Sequence, residues 1–67
     1  MKISETLANL RRERKMTVRA LEQATGLNIS NISLIETGKR IPQIDTLIKI
    51  LDALDAELMI RKKDGQE

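Results

Sequence analysis

The sequence predicts an all-α fold of four to five short helices, closed by a short strand near its end. Three observations carry that prediction. Aliphatic residues recur at intervals of three and four in successive windows of the chain. Those windows are separated by backbone punctuation at Thr17, Gly26, Gly38 and Pro42. Alternation of the kind a strand requires is confined to "AELMIRKK", which begins at Ala56.

Each element follows from its own residues. Ile3, Leu7 and Leu10, with the stem of Arg14, share one helical face, predicting a first helix over 4–14 with Ser4 as N-cap. Thr17 caps a second helix that runs to Ala24, with Val18, Leu21 and Ala24 inward. Gly26 breaks it, because glycine enters the left-handed region without a Cβ clash. Asn28 caps a third helix through Thr37, with Ile32 and Ile35 inward and Ser30, Asn31, Ser33 and Leu34 outward.

Gly38 ends that helix, and Pro42 keeps "KRI" out of helix. Ile44, Leu47, Ile48, Leu51 and Leu54 then form the stripe of a fourth helix, with Ile41 returning to the core. In the last segment Ala56, Leu58 and Ile60 fall on one side of a strand, with Glu57, Met59 and Arg61 on the other. So short a period leaves open a helix continuing to Ile60. The whole of 1–67 reads as one domain, with a core of about 3–55, a strand at about 56–63 and a tail at 64–67.

Composition narrows the function. With no cysteine or histidine, neither a disulfide nor an ordinary zinc site is available, and no metal or cofactor is expected. The commonest catalytic base and the strongest nucleophile are missing too, so no catalytic residue is assigned and an enzyme is not expected. Without aromatics there is no stacking platform for single-stranded nucleic acid or RNA. No apolar run approaches the roughly eighteen residues of a membrane span, and the N-terminus lacks a signal-peptide core, so a cytoplasmic protein is expected. A core this small favours a partner subunit.

The net charge of +2 is modest, but its distribution is uneven. Residues 1–34 hold six cations against three acids, and 35–67 hold six against seven. The cations cluster in "RRERK", at Lys39–Arg40 and in "RKK" (61–63). Such clusters are ordinary solvated surface unless the fold gathers them on one face.

Two short helices separated by a glycine turn, at 17–24 and 28–37, match a helix-turn-helix. Asn28, Ser30, Asn31 and Ser33 supply small polar groups that let a backbone approach base edges. Spacing alone reads equally as a solvated helix face.

The stretch "LRRERKMTVRALEQATGLNISNISLIETGKRIP" resembles the Xre/Cro-type helix-turn-helix repressors, and the likeness extends through "DTLIKILDAL" to Leu54. The resemblance implies a lambda-repressor-like fold and double-stranded DNA as partner. It implies base contacts from Asn28, Ile29, Ser30, Asn31, Ser33 and Leu34, with Asn31 on an adenine edge and Ile29 on a thymine methyl. Phosphate contacts are implied at Thr17, Arg19, Lys39 and Arg40, aided by the amino ends of the second and third helices. It further implies a structural ion pair between Arg11 and Glu36.

Departures from the family pattern are Val18 for glutamine, Glu22 for a small residue, Thr25 for an aliphatic, Lys15 for glycine and Ala20 for a capping acid. The tail "LDAELMIRKK" resembles that of HipB-type antitoxins, where a strand pairs with its two-fold mate. This implies a homodimer through Leu58, Met59 and Ile60, with two reading helices about 34 Å apart on an inverted repeat. A fifth-helix dimer and a monomer remain alternatives. The implied function is a transcriptional repressor, either an autoregulating antitoxin with a toxin partner or a phage- or plasmid-type regulator. A helical protein-interaction module that no longer reads DNA is the alternative of another class.

Overall fold

A computed structural model of the chain describes residues 3–60, which hold four helices: α1 (Ile3–Glu13), α2 (Val18–Thr25), α3 (Ile29–Glu36) and α4 (Ile44–Ala53). The four predicted helices are all present, with boundaries shifted by a residue or two. Because α1 already includes Ile3, Ser4 lies inside its first turn and is not its cap. None of these helices is long and apolar enough to cross a membrane.

The helices close on an aliphatic core of Leu7, Ala8, Leu21, Ile32, Ile35, Leu47, Ile50, Leu51 and Leu54. Leu10, Met16, Val18, Leu27, Ala53 and Ala56 pack around it. Each fully buried Leu or Ile contributes about 1.5–3 kcal/mol relative to exposure. Helix α3 touches both α1 and α2, while α2 also rests on α4. Its inner side is therefore held from two directions.

Several inward assignments are corrected. Ala24 is exposed, because Val18 and Leu21 already fill the narrow seat that α2 needs. On α4 the buried face is Leu47, Ile50, Leu51 and Leu54, so Ile50 turns the stripe away from Ile44 and Ile48, both left exposed. Ile41 is 87% exposed, because the chain after Gly38 runs along the outside until α4 starts.

Three of the helices stop in the same way. At the end of α1, Met16 N–H donates to Arg11 O (3.1 Å) and Lys15 N–H to Arg12 O (2.9 Å). The same pair of bonds recurs at α3, from Lys39 to Leu34 (2.9 Å) and Gly38 to Ile35 (3.2 Å), and at α4, from Ala56 to Leu51 (2.8 Å) and Asp55 to Asp52 (3.1 Å). This is the Schellman motif, which needs one left-handed residue. Lys15 (φ 58°), Gly38 (φ 82°) and Asp55 (φ 57°) are those residues. Lys15 thus occupies the glycine position in the left-handed conformation, at a cost of about 1 kcal/mol.

After α4 the chain is not helical at 56–60, which closes the alternative of a helix reaching Ile60. No strand is formed among the described residues, and a strand whose ladder lies on another chain has no pairing within one chain. The remainder of the predicted strand, the "RKK" cluster and the tail lie outside the described residues.

Candidate nucleic-acid interface

The turn between α2 and α3 is built from side chains on both sides of it. Thr17 adopts extended backbone, and its Oγ1 accepts from Ala20 N–H (3.0 Å), capping α2. At the far end Gly26 turns left-handed, and its N–H donates to Glu22 O (2.8 Å). Thr25 bridges the break: its hydroxyl donates to Leu21 O (2.7 Å) and accepts from Leu27 N–H (3.2 Å). An aliphatic residue there cannot make either bond. Leu27 packs on the core, and α3 begins two residues later.

The first two amides of α3 both have side-chain partners. Asn28 Oδ1 accepts from Ser30 N–H (2.7 Å), as an N-cap should, and the Glu22 carboxylate accepts from Ile29 N–H (3.1 Å). Glu22 is thus a second cap supplied by the preceding helix, and its charge suits the positive end of the macrodipole. It explains why a long acid stands where a small residue was expected. Its carboxylate stands at the amino end of α3, where the resemblance implied a phosphate contact. The cap at Asn28 engages the same oxygen that a base contact needs.

Helix α3 is seated by Ile32 and Ile35, both fully buried. Its outer surface carries Ile29, Ser30, Ser33, Leu34 and Thr37, with Lys39 at the end, around a shallow open depression. Thr37 was not anticipated on this surface. Its place one turn beyond Ser33 is the signal that locates it, and its hydroxyl folds back onto Ser33 O (2.9 Å) and Leu34 O (3.2 Å). Asn31 lies on the flank of this surface, where its Oδ1 accepts a hydrogen bond from Arg40 Nη1. Arg19, Lys39 and Arg40 are exposed. Of the predicted site residues, α3 and the turn after it gather Ile29 to Leu34 with Lys39 and Arg40, while Thr17 and Arg19 stand at the start of α2.

The opposite flank of α3 is held from within. Arg11 Nε donates to Glu36 Oε2 (2.8 Å) and Nη2 to Oε1 (3.0 Å), a two-pronged pair with side chains only 13% and 9% exposed. The third donor, Nη1, reaches Met16 O (2.8 Å) in the connection to α2. The expected ion pair is therefore present, and it joins α1, the connection and α3. Arg14 adds an outer tie from α1 to the end of α4, donating to Leu54 O (3.0 Å) and pairing with Asp55. The predicted dimer residues Leu58, Met59 and Ile60 are exposed beyond α4.

A helix of short polar residues, seated on a core by a preceding helix and a tight turn and bordered by cations, defines a DNA-binding helix-turn-helix domain. The chain belongs to the helix-turn-helix family of the Xre/Cro type, whose model, described as helix-turn-helix, matches residues 7–59. It is 33% identical over 58 residues to the cryptic phage CTXphi transcriptional repressor RstR of Vibrio cholerae, covering 87% of this chain and 52% of that protein. It is 45% identical over 51 residues to the HTH-type transcriptional repressor RghR of Bacillus subtilis, covering 75% and 38%. To the uncharacterized HTH-type transcriptional regulator y4dL of Sinorhizobium fredii it is 36% identical over 61 residues, covering 91% and 31%. The chain spans about half the length of these relatives or less. No solved structure matches it.

Proposed function

We propose that this chain is the operator-binding part of a transcriptional repressor that lays α3 in the major groove of double-stranded DNA. The observation that carries the reading is the two-sidedness of α3: Ile32 and Ile35 bury one side completely, and Ser30, Ser33 and Thr37 stand with Ile29 and Leu34 on the other. Ile29, Ser30, Ser33 and Leu34 face base edges, with Asn31 at their flank. Thr17, Arg19 and Lys39 meet phosphate, and the amino end of α2 takes the anion-binding role that Glu22 denies to α3. The names of two relatives, both transcriptional repressors, support this assignment.

The chain acts in the cytoplasm as a homodimer on an inverted repeat, paired through Leu58, Met59 and Ile60. Between the two regulator types, the name of one relative, a cryptic phage transcriptional repressor, supports the phage- or plasmid-type regulator. The antitoxin reading asks for a toxin gene beside this one. The test is a gel-shift titration against a duplex library at two salt concentrations. Sequence-selective binding that weakens with salt is the expected result. Binding without preference would overturn the reading in favour of a protein-interaction module. Deleting 57–67 is expected to yield a monomer by sedimentation. A dimer that survives the deletion would move the interface elsewhere, with the exposed Ile41, Ile44 and Ile48 as the next surface to examine.

A further inference from the structure

The bond between Arg40 and Asn31 changes what α3 can read. An asparagine that pairs with adenine uses both ends of its amide, with Oδ1 accepting from N6 and Nδ2 donating to N7. In this structure Oδ1 already accepts from Arg40 Nη1. The pair then still offers Nδ2–H of Asn31, the unused N–H groups of the guanidinium and the second lone pair of Oδ1. All but the last of these are donors.

Arg40 is placed for this contact by its backbone. Its own N–H donates to Leu34 O (3.1 Å), which holds the residue against the last turn of α3. The pair stands at a cleft of about 290 Å³ that Gln43 and Thr46 also line. The bond brings the two side chains together on the same flank of the helix, nine residues apart in sequence.

We infer that Asn31 and Arg40 act as one donor-rich unit that specifies guanine, whose O6 and N7 are both acceptors, at one position of each half-site. The inference rests on the groove-inserted reading above and refines it: Arg40 sets specificity in place of a simple phosphate grip, and adenine is no longer the base assigned to Asn31. Adenine presents a donor, N6, where the unit also presents donors, so it is disfavoured on the same physical ground.

The experiment is selection from a randomised duplex library with the intact chain, followed by the same selection with Asn31→Ala, Arg40→Ala and Lys39→Ala. Circular dichroism confirms that each variant is folded. Asn31→Ala marks the position concerned by loss of preference there. The wild type is expected to prefer guanine at that position by about tenfold. Arg40→Ala frees Oδ1, so the preference should move towards adenine at that position alone. Lys39→Ala should weaken binding alike at all sites. A wild-type preference for adenine there, or an Arg40→Ala variant that only weakens binding uniformly, would overturn the inference and leave the repressor reading standing. No selected sequence for the wild type would overturn the repressor reading itself.

Discussion

Helix α3 carries an arginine contact on each flank, and the two differ in almost every respect. On the inner flank Arg11 grips Glu36 with two parallel bonds, mostly out of water, and spends a third donor on Met16 O. On the outer flank Arg40 makes a single exposed bond to an uncharged amide. The inner contact spends three of the five guanidinium N–H groups inside the protein, so it serves as a strut. The outer one keeps most of its donors and sits where DNA would approach. A guanidinium is structural or functional according to how many of its N–H groups the protein itself consumes.

The strongest way to break this contrast is to remove the acid of the strut. Glu36→Ala leaves Arg11 buried without its counter-charge and should cost roughly 3–5 kcal/mol, read as a lower urea midpoint. Retention of wild-type stability would show that the pair is no strut.

A smaller effect sharpens the scaffold side. Lys15→Gly removes the left-handed strain at the end of α1 and should add about 1 kcal/mol, with base preference unchanged. Gly38 performs the same task at the end of α3 without that strain, and there a Cβ would stand 3.4 Å from Ser4 Oγ. The smallest change is expected from Arg40→Ala, below about 1 kcal/mol in thermal or urea unfolding, since the residue is exposed. A larger loss would make the outer contact a second strut.

Much of this architecture is legible in the residues. Thr17 and Asn28 announce their helices by a local rule, since each cap acts within three residues of itself. Lys15 is legible because the helix end demands a left-handed residue whatever its identity. The Arg11–Glu36 pair was accessible only through family likeness, because 25 residues separate its partners. Glu22 on Ile29 N–H and Arg40 on Asn31 were not legible, for both depend on how a turn folds one element back over another. Ile41, Ile44 and Ile48 misled for a different reason. Hydrophobicity marks candidates for burial, but in a chain this short there is too little neighbouring mass to cover them all.

The bond from Arg11 to Met16 O has a practical consequence for mutational scans. Met16 lies directly before the Thr17 cap, so one side chain fixes the offset between the amino end of α2 and the outer surface of α3. In the proposed complex that offset is the span from a phosphate to a base edge. Substitutions at Arg11 will therefore register in a binding screen as if the residue touched the operator. Only a parallel screen for folded protein, scored on the same library, separates such a gauge from a true contact.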